Sequence, residues 1–337
     1  MNIENFNPNG VGIKNGNFIG LPFNKLNAQI VLYPVPWDVT VSYRAGTSTG
    51  PQNILEASSQ LDLYDADYPD SWKRGIFFHK IDEELAAINT DMRSLADGHI
   101  ESLEAGESGT EFALNLVNDA CVKMVDQVFH ATQKLMDEGK IVGLIGGDHS
   151  TPLGYLRALS ENHTNFGILH IDAHMDMRKA YEEFEYSHAS IMYNVMTSIP
   201  NISKIIQVGI RDYCDEEVEF AKALGNRAEI YFEQNIQRKL LTGVSYHEIA
   251  TEIILNLPNK VYISFDVDGL DPKLCPNTGT PVPGGLEFAQ AIYLMKLVKD
   301  SGREIIGFDV VETGGFPNDW DGNVAARIVY KLCGMVG

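Results

Sequence analysis

The sequence predicts an α/β fold, a three-layer αβα arrangement around a mostly parallel central sheet. Two observations carry this. Short β-branched and aliphatic runs alternate with longer segments of helical periodicity along most of the chain, the pattern of strands with helices on both faces. Three of the runs also end in tight groups of Asp and His, and the C-terminal ends of parallel strands are where such sheets gather ligands.

Taken in order, residues 1–27 are polar and rich in Asn and Gly, and they read as a mobile arm or lid outside a single domain spanning 28–337. Residues 28–33 (AQIVLY) form the first strand. A long Gly/Ser/Thr/Pro loop follows over 34–51, of the kind that carries function on a rigid scaffold. Residues 52–63 read as a helix and 75–81 as a strand. The acidic, polar stretch 82–109 reads as a surface excursion. Apolar residues Ala113, Leu116, Val117, Val122, Val125, Val128 and Leu135 recur at helical spacing over 111–138, and Gly139 stops that helix. Strand 141–145 runs into Gly146-Gly147-Asp148-His149-Ser150, and a helix over 151–160 has Pro152 in its first turn.

The strand ending at Ile171 leads into Asp172-Ala173-His174-Met175-Asp176. Further helices are expected over 187–199, 215–224, 247–255, 287–300 and 322–332. Further strands are expected over 204–210, 229–232, 261–265 and 304–311, with a Pro/Gly-rich loop at 272–285.

Composition narrows the function. The chain has 337 residues, 44% of them hydrophobic, and a net charge of −20. That charge disfavours nucleic acid and anionic membranes as partners and favours small cations at long range. No apolar run is long enough to span a bilayer, and the N-terminal stretch lacks the basic-then-apolar pattern of a secretory signal. A cytoplasmic location is expected. The four cysteines are scattered, with no CxxC pair, as expected of a reduced chain without disulfides.

The chemistry lies at the strand ends. In an extended segment, residues two apart share a side, so Asp172, His174 and Asp176 converge. His149 ends one neighbouring strand, and Asp266 and Asp268 end another. Alone, an Asp at a strand end is more often a helix cap, and a lone His is more often an ordinary polar residue. Together they are two imidazoles and four carboxylates at one sheet edge. These are N/O ligands suited to Mn²⁺ and related ions, and carboxylates that would repel one another without cations. The set is too large for one catalytic ion with an open position. Two ions sharing carboxylates, roughly 3.5–4 Å apart, fit it better.

The motifs GGDHS (146–150), DAHMD (172–176), SFDVDGLDP (264–272) and TGTPVPGG (278–285), with SYRAGTSTGP (42–51) and VGIRD (208–212), resemble the arginase/agmatinase/formimidoylglutamase (ureohydrolase) superfamily over most of the chain from residue 28. The resemblance implies a binuclear Mn²⁺ site and hydrolysis of a guanidino compound to urea and an amine. Carried over by position, His149 and Asp176 would bind one ion, His174 and Asp268 the other, and Asp172 and Asp266 would bridge them. Asp176 would orient the activated water. His188, in Tyr186-Ser187-His188-Ala189-Ser190, resembles the family's proton-shuttling His. Glu312 matches its guanidinium-binding Glu, although Thr313-Gly314-Gly315 replaces the usual continuation. Thr280 is a further guanidinium contact. Ni²⁺ and Co²⁺ share these ligand types with Mn²⁺. The family also implies trimers or hexamers.

Substrate identity stays open at this level. Cys214 stands where arginases keep an acidic residue for the substrate's α-amino group, and Arg178 stands where they have Asn. Arg178 resembles a formimidoylglutamase position and suits a carboxylate-bearing substrate, yet those members lack the His at 188. Alternatively, Arg178 pairs with Glu182 or Glu183 and never meets substrate. The bulky loop with Trp37 and Thr40 is a second route to selectivity: a closed pocket there would admit free guanidine, as in the superfamily's guanidine hydrolases. The competing readings are a formimidoylglutamase releasing formamide and, from another class, a catalytically silent metal-binding protein.

Overall fold

The computed structural model describes residues 6–337. Eight strands form one sheet: β1 (Ile30–Val35), β2 (Ile76–Phe78), β3 (Ile141–Gly146), β4 (Phe166–Ile171), β5 (Ile202–Ile210), β6 (Ala228–Phe232), β7 (Lys260–Asp266) and β8 (Glu304–Val311). Every pairing is parallel, in the order β2-β1-β3-β8-β7-β4-β5-β6. Among the described residues there are ten α-helices: α1 (Gly50–Ser58), α2 (Glu83–Glu104), α3 (Glu111–Asp137), α4 (Leu153–Asn162), α5 (Ile191–Ser198), α6 (Asp215–Ala223), α7 (Glu233–Leu241), α8 (Tyr246–Leu255), α9 (Phe288–Asp300) and α10 (Trp320–Met335). Among the described residues, no helix is long and apolar enough to cross a membrane.

Side chains alternate across each strand, so the sheet feeds two cores. Ile30, Leu32, Leu169 and Ile171 join residues of α1, α8, α9 and α10 on one face. Val31, Tyr33, Leu144 and Ile168 join residues of α2, α3, α4 and α5 on the other. Both faces are covered, which is why the strand sequences read as continuous apolar runs. Truncating a core side chain such as Leu169 to Ala would cost ~2–5 kcal/mol and loosen the strand that presents Asp172.

β3 and β4 are consecutive in sequence but separated in the sheet by β8 and β7. The chain therefore departs in opposite directions from that point, which opens a crevice at the strands' C-terminal ends. The four strands around it, β3, β8, β7 and β4, carry all the candidate ligands and Glu312.

Three expectations need correction. The stretch 82–109 is not a surface excursion. It is mostly α2, capped by Asp82, whose carboxylate accepts the amides of Glu84 and Leu85, and it buries Leu85, Asn89, Ala96, His99 and Ile100. Polar residues occupy two of its buried positions, which hides its periodicity. α7 was not expected; it is short and buries Ile236. The N-terminal arm is docked where it was expected to be mobile. Phe18, Ile19 and Leu21 are buried in the core, and Asn17 bonds the backbone of Ile76 (3.1 Å) and Phe78 (2.6 Å) beside β2. Residues 1–5 of that arm lie outside the described residues.

Candidate metal centre

His149 sits three residues beyond β3 on a turn that only glycine permits. A Cβ on Gly147 would lie 2.0 Å from the Trp37 carbonyl oxygen. The turn lets the His149 ring reach across the crevice. Its Nε2 lies 2.9 Å from Ser264 Oγ on β7, and that hydroxyl donates to Asp309 on β8 (3.2 Å). The opposite nitrogen, Nδ1, faces three carboxylate oxygens: Asp172 at 2.9 Å, Asp176 at 3.1 Å and Asp266 at 3.2 Å. Although buried, Nδ1 has no properly aligned hydrogen-bond partner. Of these three oxygens, the Asp172 one also accepts a hydrogen bond from His170 (2.8 Å), while those of Asp176 and Asp266 face only the imidazole, an arrangement of ligands more than a hydrogen-bond network.

Beside it, His174 Nδ1 lies 3.1 Å from Asp268 Oδ2 and 3.4 Å from Asp172 Oδ1. Asp172 thus turns one oxygen toward each imidazole, as a bridging ligand must. Two of the remaining oxygens are held by backbone amides. Asp268 Oδ1 accepts from Ala173 (3.0 Å), and Asp266 Oδ1 accepts from Asp268 (2.7 Å). Gly209, at φ +97, lets β5 pass close by; a Cβ there would sit 2.9 Å from the Asp172 carbonyl oxygen. Arg211, just beyond it, donates to the carbonyls of Asp268 (2.7 Å) and Val282 (2.9 Å), which ties two of the sequence motifs together.

Burial and charge crowd this cluster. Burial, then the charges of Asp268 and Asp172, push the Asp266 carboxyl well above its ordinary value. Burial and Asp172 push Asp176 up to about 7. Burial pulls His149 down, but Asp172, Asp176 and Asp266 outweigh it and hold that imidazole well above its usual range. Burial opposes ionisation of Asp172 as well, yet His170 and His149 keep it well below the usual carboxylate range. Converging, buried, mutually repelling carboxylates with two imidazoles suit cations. His149, His170, Asp172 and Asp176 form one group of ligand atoms close enough to share an ion, and Asp172, His174 and Asp268 form another.

A family model for the arginase family matches residues 28–334. The chain belongs to the arginase family. It is 28% identical over 321 residues to the N(1)-aminopropylagmatine ureohydrolase of Synechocystis sp., covering 92% of this chain and 90% of that one. It is 27% identical over 286 residues to the agmatinase of Bacillus anthracis, covering 85% and 83%. Its fold resembles the crystal structure of agmatine ureohydrolase of Thermoplasma volcanium, with a TM-score of 0.71, 22% identity, and 96% and 94% of the two chains covered.

Around the cluster of this arginase-family chain is a cavity of about 280 Å³. His174, Asp176, His188, Thr280 and Arg178 line it, with Tyr43, Tyr181 and Asp212. Thr280 Oγ1 lies 3.4 Å from Asp268 Oδ2. Glu312 lies beneath these groups. Its Oε1 accepts the His149 amide (3.0 Å), while its Oε2 is buried without a hydrogen-bond partner. Glu312 (φ +61) and Asp176 (φ +54) both adopt left-handed backbone conformations, which cost non-glycine residues on the order of 1–3 kcal/mol and cluster at functional sites.

Arg178 does not pair with Glu182 or Glu183. Its Nε lies 3.8 Å from Glu217, and its guanidinium stacks on Tyr181 at 4.7 Å. Glu217 is already engaged by the amides of Met177 (3.0 Å) and Cys214 (2.9 Å). Glu312 does not line the cavity, and neither do two other expected substrate contacts. Trp37 is fully buried in the core between the sheet and α3; its bulk fills space there, and only its carbonyl serves the site, by accepting the Asp148 amide (2.7 Å). Thr40 is also fully buried, and its hydroxyl accepts the His188 backbone N–H (3.2 Å).

His170 was missed by the sequence reading. It lies on β4 two residues before Asp172, so the same two-residue alternation that found His174 puts it on the ligand side. Gln207 donates to its Nδ1 (2.8 Å), which leaves Nε2–H to donate to Asp172 Oδ2 (2.8 Å). Such partners orient a ligating carboxylate.

Proposed function

We propose that this arginase-family chain hydrolyses a guanidino compound to urea and an amine or ammonia, using two divalent ions held by His149, Asp172, His174, Asp176, Asp266 and Asp268. The observation that carries this reading is Asp172, with one oxygen on His149 and the other on His174. Mn²⁺ is the first choice of ion, with Ni²⁺ and Co²⁺ sharing the ligand types. Such ions, when bound, supply a water ionised near neutral pH.

The chain's own groups do the rest. The unpartnered Oε2 of Glu312 accepts N–H from the planar substrate fork, a charge-assisted contact that fixes orientation. Asp176, at the cavity wall, accepts a hydrogen bond from the attacking water and aims it. His188, whose pKa burial and the His174 charge pull down to about 3 and which so stays neutral, relays the proton lost by the attacking water to the departing amine nitrogen, which cannot leave as an anion. The substrate tail then faces Arg178 and Asp212. A carboxylate tail meets Arg178 favourably, whereas the ammonium tail of agmatine, or of its aminopropyl derivative, meets Asp212.

The orientation of Arg178 into the cavity favours one second reading, a formimidoylglutamase. Incubation with guanidine, agmatine, aminopropylagmatine, arginine, 4-guanidinobutyrate and 3-guanidinopropionate after Mn²⁺ or Ni²⁺ loading tests the first reading by urea release. Formimidoylglutamate with formamide detection tests the second. Metal binding with no product from any of these would leave a silent metal-binding protein instead.

A further inference from the structure

α2 grips two of the loops that wall the cavity. On one side, Asn89 and Asp38 exchange two hydrogen bonds. The Asp38 amide donates to Asn89 Oδ1 (2.7 Å), and Asn89 Nδ2 donates to Asp38 Oδ1 (2.9 Å). One helical turn on, Arg93 donates to the carbonyl of Val39 (3.0 Å) and to that of Val41, and it pairs with Asp97. Thr40 lies between those two carbonyls, and its hydroxyl accepts the His188 amide (3.2 Å). On the other side, buried His99 lies 3.1 Å from Glu183 and stacks on Phe184 at 5.2 Å. Glu182 and Glu183 form a tight turn with φ of 50° and 68°, a conformation that usually calls for Asn-Gly. That turn pairs Phe184 with Tyr181, whose ring faces the cavity.

Arg93 is only partly buried, yet one of its nitrogens turns inward onto the carbonyls of Asp38, Val39 and Val41, the backbone on either side of Thr40. We propose that Arg93 and Thr40 are positioning residues for the reaction. Arg93 fixes the backbone of residues 39–41 so that the Thr40 hydroxyl holds His188 at the cavity. The inference rests on the reading of His188 as the proton donor.

The test compares Thr40→Val, Thr40→Ser, Arg93→Met and the double variant Thr40→Val/Arg93→Met in metal-loaded enzyme, on the best substrate of the panel. His188→Asn serves as the reference. Thr40→Val and Arg93→Met should each lower kcat by about ten- to a hundredfold, the scale of a catalytic group displaced by about 1 Å, with KM and metal stoichiometry close to wild type. Thr40→Ser keeps the acceptor and should recover most of the loss. The double variant should be no worse than the poorer single, because both act through one loop.

A folded, metal-replete Thr40→Val enzyme with wild-type kcat overturns the proposal, as does a strictly additive double variant. If Arg93→Met fails to fold, the Val/Ser pair at position 40 still decides. An unchanged kcat in His188→Asn would instead remove His188 from the reaction, a failure of the underlying reading that is visible separately.

Discussion

Substituting Asp172 should cost both ions at once. Its two oxygens face different imidazoles, at 2.9 Å from His149 and 3.4 Å from His174, so Asp172→Ala removes a ligand from each position. The effect is readable as stability. An ion present at ~100 times its dissociation constant stabilises the fold by ~2.7 kcal/mol. At ~2.1 cal/mol/K per residue, 337 residues have an unfolding entropy of ~0.7 kcal/mol/K, so each ion raises Tm by ~4 °C. Two ions therefore give wild type a rise of ~8 °C on Mn²⁺ addition to chelator-stripped protein. Asp172→Ala should lose nearly all of this rise, while His174→Ala should keep about half of it. Thermal melts with and without metal, together with elemental analysis for ions per chain, measure both quantities. An Asp172→Ala protein that still binds one ion with unaltered affinity, or a His174→Ala protein with wild-type stoichiometry, would refute the bridging geometry.

Two further outcomes follow from groups away from the ligands. Arg178→Ala should shift the ratio of agmatine to 4-guanidinobutyrate turnover toward agmatine by about tenfold, the worth of one charge-assisted contact; an unchanged ratio removes Arg178 from substrate recognition. Asp65 lies beside Lys331 and accepts the amides of Asp67 (2.9 Å) and Tyr68 (3.1 Å). Burial raises its pKa, but Lys331 and those amides outweigh burial and hold it below its ordinary value. A carboxylate depressed in the folded state stabilises above its unfolded pKa, and that contribution is lost as pH falls through the folded value. Asp65→Asn should therefore lower Tm at neutral pH and flatten the acid limb of the Tm–pH curve below about pH 4. A parallel downward shift at every pH would contradict the linkage.

The residues of the candidate centre were readable because strand geometry is simple. Ligand types two apart at the end of an apolar run have one way to converge, and parallel strands bring three such ends to one edge. His170 obeyed the same rule and was overlooked only because it lies inside the strand. The loop over 34–51 was a different matter. Its shape depends on Asn89 and Arg93, residues of a helix whose buried Asn and His made it look solvated, so Trp37 and Thr40 were placed in the pocket rather than beneath it. The left-handed backbone of Glu312 left no trace in the sequence, because Glu rarely adopts it, and Asp at 176 is tolerant of it without requiring it. Arg178 lines the cavity, but its neighbour Glu217 was not legible, since it reaches Arg178 from α6, some forty residues on.

The sheet order has a consequence for how the protein is made. β3 and β4 leave the ribosome within about thirty residues of each other, yet the gap between them is filled by β8 and β7, the last two strands to be synthesised. Until those strands insert, His149 and Asp172 stand at two unpaired edges with no floor between them, and Asp266, Asp268 and Glu312 are absent. The full set of candidate ligands is therefore assembled only after β7 and β8 have joined the sheet. An emerging polypeptide short of β8 would present two open central edges, the kind of surface on which partly folded chains associate.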